Sequence, residues 1–162
     1  MDNGRWIVQG AGENIWGSDD EFQFAHRALN GDGTLVARVE SLDNTHSWAK
    51  GGLMVRAGTG ASAPFAAVYR TPGNGVVFEW RARYRGAPVS VAVDVPDGPV
   101  SVKLVRRGNS FAAYYSLDGV RWTRIGEAQT ISMPSAVRAG LAVTSHDVTR
   151  RTTAVFTNVS FS

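Results

Sequence analysis

Val100-Ser101-Val102-Lys103-Leu104-Val105-Arg106-Arg107 and Ser110-Phe111-Ala112-Ala113-Tyr114-Tyr115-Ser116 are two runs of alternating character, separated by Gly108-Asn109. In the first, Val100, Val102 and Leu104 share one side; in the second, Phe111, Ala113 and Tyr115 do. A period of two puts successive side chains on opposite faces of a sheet with one face buried. Gly-Asn supplies the positive φ angles of a tight hairpin.

The pattern extends in both directions. Upstream, Val76, Phe78 and Trp80 alternate with Val77, Glu79 and Arg81; downstream, Val137, Ala139, Leu141 and Val143 alternate with Arg138, Gly140, Ala142 and Thr144. Turn chemistry punctuates these runs at Asn30-Gly31-Asp32-Gly33, Pro72-Gly73-Asn74-Gly75, Pro96-Asp97-Gly98-Pro99 and Asp118-Gly119. About a dozen short strands with regular turns predict an all-β sandwich or barrel. Leu35, Val36, Ala37 and Val39 are apolar on both sides of their run, which predicts a strand in the middle of a sheet, buried on both faces. The segments 41–50 and 58–63 read as loops, and no helical period outlasts two turns. No repeat or low-complexity linker divides the chain, so one domain is expected over 1–162.

Composition narrows the classes. With 162 residues, 43% hydrophobic, 19% charged, 18 glycines and six prolines, the chain suits a turn-rich globular domain. No apolar run is long enough for a membrane helix, so no membrane insertion is expected. The start, Met1-Asp2-Asn3-Gly4-Arg5-Trp6, lacks the basic-then-apolar order of a signal peptide, although an excised domain would have lost one. With no cysteine, disulfides, thiolate metal sites and cysteine nucleophiles drop out together. The net charge is +3, from 15 arginines and only two lysines, Lys50 and Lys103, against 14 acids. A coding bias accounts for that ratio; so does recognition of carboxylate or phosphate by forked guanidiniums. A nucleic-acid partner is not expected, because the basic residues form no dense stripe.

Catalytic motifs are scarce. Asp19-Asp20-Glu21 is the one acidic cluster, and neighbours in sequence point to opposite faces, so it reads as a solvated loop or a metal-binding corner. His26, His46 and His146 have no zinc spacing. Neither a Gly-x-Ser-x-Gly elbow nor a phosphate-cradling loop occurs. Ser116-Leu117-Asp118-Gly119-Val120-Arg121-Trp122 is one residue short of a sialidase Asp-box and predicts a hairpin whose Trp122 caps the core.

The segments also follow a familiar order. Trp6, then Glu13-Asn14-Ile15-Trp16-Gly17 with Phe22 and Phe24, leads to Trp48-Ala49-Lys50-Gly51-Gly52-Leu53-Met54-Val55-Arg56. Thr71-Pro72-Gly73-Asn74-Gly75 runs on into Phe78 and Arg81, followed by Lys103 to Phe111 and Tyr115 to Thr123. Gly140-Leu141-Ala142-Val143-Thr144-Ser145-His146 and Phe156-Thr157-Asn158-Val159 close the chain. The whole resembles the accessory β-sandwich domain of exported bacterial carbohydrate-active enzymes, in the concanavalin A-like lectin and glucanase superfamily. Two departures from that pattern stand out: Val100 and Val102 replace an expected aromatic, and Glu79 stands where an amide is more usual.

The resemblance implies an antiparallel two-sheet jelly roll, an extracellular or cell-surface location, and fusion to other domains in a longer protein. It implies a non-catalytic module that binds a polysaccharide or oligosaccharide on the concave sheet or its rim loops. Related glucanases carry two carboxylates at alternate strand positions, a pattern this sequence lacks. A divergent glycoside hydrolase, a polysaccharide lyase with a Tyr-His-Arg cluster, and a structural or protein-interaction spacer stay as alternatives. A structural calcium would also fit the superfamily, with Asn30, Asp32, Asp19, Asp20 and Asp147 as oxygen sources, although Asn30–Gly33 alone reads as a tight turn. Sugar sites pair flat aromatics with planar polar groups. The expected ligand-binding residues are therefore Trp48, Arg56, Glu79, Arg81 and Tyr114, with Arg83 and Arg85 extending the same strand face. An acidic glycan would suit the guanidiniums. Trp6, Trp80 and Trp122 are expected in the core, and Trp16 and Trp48 divide between packing and binding.

Overall fold

Alternation resolves into thirteen antiparallel strands in a computed structural model that describes residues 4–16 and 20–162. They are β1 (Trp6–Gly12), β2 (Gln23–Asn30), β3 (Gly33–Leu42), β4 (Lys50–Arg56), β5 (Phe65–Arg70), β6 (Val76–Arg81) and β7 (Val89–Val93), continued by β8 (Val100–Arg107), β9 (Ser110–Ser116), β10 (Thr123–Arg124), β11 (Gln129–Thr130), β12 (Ala136–Thr144) and β13 (Asp147–Phe161). One sheet runs β1-β13-β3-β8-β9-β10 with β11 also on β9; the other runs β2-β12-β4-β5-β6-β7. The fold is a two-sheet antiparallel β-sandwich, a jelly roll of the concanavalin A-like kind, with no helix among the described residues. No helix there is long and apolar enough to cross a membrane.

The hairpin expected at 100–116 forms in register, with Leu104 opposite Ala113 and Arg106 opposite Phe111. Val100, Val102, Leu104, Phe111 and Ala113 are fully buried between the sheets. They meet Leu53, Val55, Ala66, Val68, Val76, Phe78 and Trp80 from the opposite sheet. Each valine, leucine or phenylalanine among them contributes about 1.5–3 kcal/mol from its removal from water. At Gly75, which turns the chain into β6, φ is +67° and a Cβ would lie 2.0 Å from the Val93 carbonyl oxygen, so only glycine fits.

Several expectations need correction. β3 lies in mid-sheet as expected, yet it is buried on one face, at Gly33, Leu35, Ala37 and Val39; Val36 and Arg38 on its other face are half-buried. The strands buried on both faces are instead β4, β5 and β6. β6 stops at Arg81, and Arg83 and Arg85 are exposed in the following turn, where Gly86 N–H donates to the Arg83 carbonyl and Arg85 has a φ of 58°. Trp80 joins the core, but Trp6 is 38% exposed. Trp122 does not cap the core either: it stands 4.4 Å from the Lys103 ammonium, on the outer face of the larger sheet. Asp118 does close its hairpin, accepting from Val120 and Arg121 N–H and from Ser116 Oγ.

The outer face of β4–β6 is dry because the chain covers it. Ile15, with no exposed surface, packs on Met54, Phe65, Ala67, Tyr69 and Ala142, with Phe22 and Phe24 beside it. This second cluster sits on the sheet face where a binding groove was expected.

Candidate functional site

Strand register lays the outer face out in rows. Arg56, Phe65 and Arg81 face one another across β4, β5 and β6; next come Met54, Ala67, Glu79 and Ser90, then Gly52, Tyr69, Val77 and Ala92. Lys50 lies further along β4 on the same face, since its side chain shares the parity of Gly52, Met54 and Arg56.

The arginine end of this face is closed. Arg81 grips Asp20 with both terminal nitrogens, at 2.6 and 2.7 Å, and Arg56 reaches the same carboxylate at 2.6 Å. None of the three side chains is more than 1% exposed. Backbone carbonyls hold them as well: Arg56 donates to Gly60, and Arg81 to Ala63 and Gly86, while Arg56 also reaches the Met54 Sδ at 4.0 Å. Phe65 lies 5.0 Å from the Arg81 guanidinium and 5.6 Å from that of Arg56, while Phe22 stacks on Arg56 at 5.2 Å. Buried guanidiniums survive only when paired, and this triad is a built-in anchor for the covering segment.

The glutamate end is open. A cavity of about 280 Å³ is lined by Trp16, Trp48, Lys50, Val77, Glu79 and Ser90. Trp16 is 45% exposed at its mouth, whereas Glu79 and Lys50 are 1% and 2% exposed at its floor. Glu79 Oε1 has no hydrogen-bond partner. Burial pushes the Glu79 carboxyl up to about 8, with nearby Asp20 adding to the rise while Lys50 and Arg81 oppose it. Burial likewise lowers the Lys50 ammonium, against the pull of Glu79 and Asp20. Lys50 Nζ donates to Asn14 Oδ1 and stands 5.9 Å from the Trp48 ring. Trp48 is itself positioned by its backbone N–H, which donates to His46 Nδ1 at 3.0 Å, and the His46 ring stacks on His146 at 4.1 Å.

The expected ligand-binding residues therefore separate. Trp48 and Glu79 meet at one pocket. Arg56 and Arg81 lie at the other end of the face, occupied by Asp20 and shut off from solvent. Tyr114 stands on the opposite sheet, 4.7 Å from Lys103, and cannot join them. Trp16, Lys50 and Ser90 complete the pocket; the period-two spacing Lys50-x-Gly52-x-Met54-x-Arg56 was the signal for Lys50. Asp20 is neither a solvated loop residue nor a metal corner, and nothing local in sequence marks its partners, 36 and 61 positions away. A second cavity, about 490 Å³, opens between the sheet edges at Trp6, Leu141, Val159 and Phe161, but its polar lining residues, His26 and Arg27, are exposed.

The calcium set does not assemble. Asp20 is consumed by guanidiniums, Asp32 accepts from Gly108 N–H, and Asp147 accepts from the Thr149 N–H and hydroxyl. Asp19 lies outside the described residues. Among the described residues no three acids or histidines gather in a way that could hold a metal. Nor does a second carboxylate reach the pocket among them: Asp20, the nearby acid, is sealed in its ion cluster.

No protein-family model matches the chain, and no curated protein matches it in sequence. Solved structures share its fold. A functionally unknown protein from Saccharomyces cerevisiae superposes with a TM-score of 0.77 at 12% identity, covering 100% of this chain and 89% of that one. A mutant of the GH43 protein BlXynB from Bacillus licheniformis gives 0.69 at 12% identity over 96% of this chain. This chain spans only 32% of that GH43 chain. The carbohydrate-binding module CBM66 from Bacillus subtilis gives 0.58 at 19% identity, covering 98% and 94% of the two chains. At these identities the likeness is one of fold alone: the chain is a two-sheet jelly-roll β-sandwich.

Proposed function

We propose that this domain is a non-catalytic carbohydrate-binding module whose site is the pocket between Trp16 and Trp48. The observation that carries this reading is Glu79: a nearly buried carboxyl with an unpaired oxygen, at the floor of a cavity walled by two indoles. Sugar rings offer apolar faces to aromatics and hydroxyls to a buried acceptor, the combination that small-molecule sites present. Fold likeness to CBM66 and to part of a GH43 chain supports the same reading, and the proposal extends to attachment of the domain to a larger exported enzyme.

The test is a glycan array followed by titration calorimetry on whichever glycan is retained. Trp48→Ala is expected to weaken binding at least about tenfold, equivalent to about 1.4 kcal/mol, with the thermal midpoint preserved. Silence across neutral and acidic glycans would end the proposal. It would favour a structural scaffold, a second reading supported by the way Ile15, Asp20 and Phe22 fill most of this sheet face.

A further inference from the structure

We infer that the pocket selects a neutral, hydroxyl-bearing ring of about one sugar unit, held by a hydroxyl that donates to Glu79 and accepts from Lys50. This rests on the carbohydrate reading above and sharpens it.

Charge decides the class. An anionic sugar would need cations to receive its carboxylate, and the two guanidiniums of this face are already bound to Asp20 and shut off from solvent. A cationic sugar would meet Lys50, which already occupies the place beside the Trp48 ring where an ammonium would gain most. A hydroxyl suits both floor groups, because it is donor and acceptor at once. Glu79 Oε1 has a free acceptor position. Lys50 has three donors and spends one on Asn14. The buried state of Glu79 also favours its uncharged form, which a hydroxyl tolerates in either role. Size decides the rest: about 280 Å³ lies just below the roughly 300–1,000 Å³ of drug-sized sites. That leaves space for one ring between the indoles and not for a stretch of chain.

The experiment is protein-observed NMR on the whole chain, following the tryptophan indole signals during titration with methyl glycosides of glucose, galactose, xylose and fructose. Glucuronic acid, glucosamine and a set of neutral oligosaccharides are titrated alongside. At least one neutral glycoside is expected to saturate the Trp16 and Trp48 signals and to bind at least tenfold more tightly than the acid and the amine. Glu79→Leu should abolish that binding. Glu79→Gln, which keeps an acceptor without a charge, should weaken it only a few-fold, and both variants should hold the wild-type thermal midpoint or better. Preference for glucuronic acid, or for glucosamine with complete loss in Glu79→Gln, would overturn the inference while leaving a carbohydrate site standing. Binding seen only with oligosaccharides would overturn the one-ring size. No response from any sugar, neutral or charged, would remove the inference together with the carbohydrate reading.

Discussion

Glu79 and Arg81 sit two residues apart on one strand face and have opposite fates. Arg81 is bound at both ends of its fork to Asp20, so removing it strands a buried carboxylate on Arg56 alone. Arg81→Leu is expected to cost about 3–5 kcal/mol in urea denaturation, the range for breaking a buried pair from one side. Glu79 is the reverse case, a carboxyl whose folded form holds its proton until about pH 8 against an ordinary 4.5. Between those values the folded chain binds a proton that the unfolded chain has released, so stability is full below the lower value and falls as pH rises through the higher one. At about 1.4 kcal/mol per unit, the loss is of the order of a few kcal/mol. The thermal midpoint should therefore drop from pH 5 to pH 8, and the drop should flatten in Glu79→Gln. Lys50, held below its ordinary value, contributes the opposite slope on the alkaline side, so the comparison of the two proteins is the informative measurement.

At the scale of elements, the loop between β3 and β4 carries Trp48 to the pocket, and its geometry hangs on two imidazoles. His46 Nδ1 accepts from the Trp48 backbone N–H, and its ring lies nearly parallel to His146, at 12°. Burial lowers the His146 value, aided by the nearby His46 and Lys50, with Glu13 opposing. A histidine depressed in the folded state gives stability that is present above its unfolded value and lost as pH falls through the folded one. A protonated His146 would set a cation against the His46 ring that holds the Trp48 backbone. As pH falls below the ordinary imidazole range and His146 gains its proton, the Trp48 indole signal should shift or broaden while the core amide signals stay put. His46→Ala should show the loosened signal at neutral pH as well.

Over the whole molecule, two cores share β4, β5 and β6: one between the sheets, one beneath the covering segment. Because the same strands line both, they are expected to melt together. Calorimetry should give a single transition with matching calorimetric and van't Hoff enthalpies, the behaviour of one domain. Ile15→Ala, a large-to-small change in the outer core, should shift that whole transition by a loss of about 2–5 kcal/mol and not split it. A separate early transition in the variant would mean that the covering segment is an independent unit.

The sequence alone was enough for the sandwich. Alternation and Gly-Asn or Asp-Gly turns are local properties, and the hairpin at 100–116 forms as they require. It also named Trp48, as an aromatic in a loop, and Glu79, on the strand face it shares with Arg81, and the fold brings these two to one pocket. It could not reveal that Arg56 and Arg81 were already taken, because their counter-ion, Asp20, is fixed by a fold that returns the N-terminal segment across the opposite sheet face. Period-two patterning says which side chains share a face; it does not say what lies over that face. Tertiary structure decided that most of it is covered by the chain itself, leaving one end open as a pocket between two tryptophans.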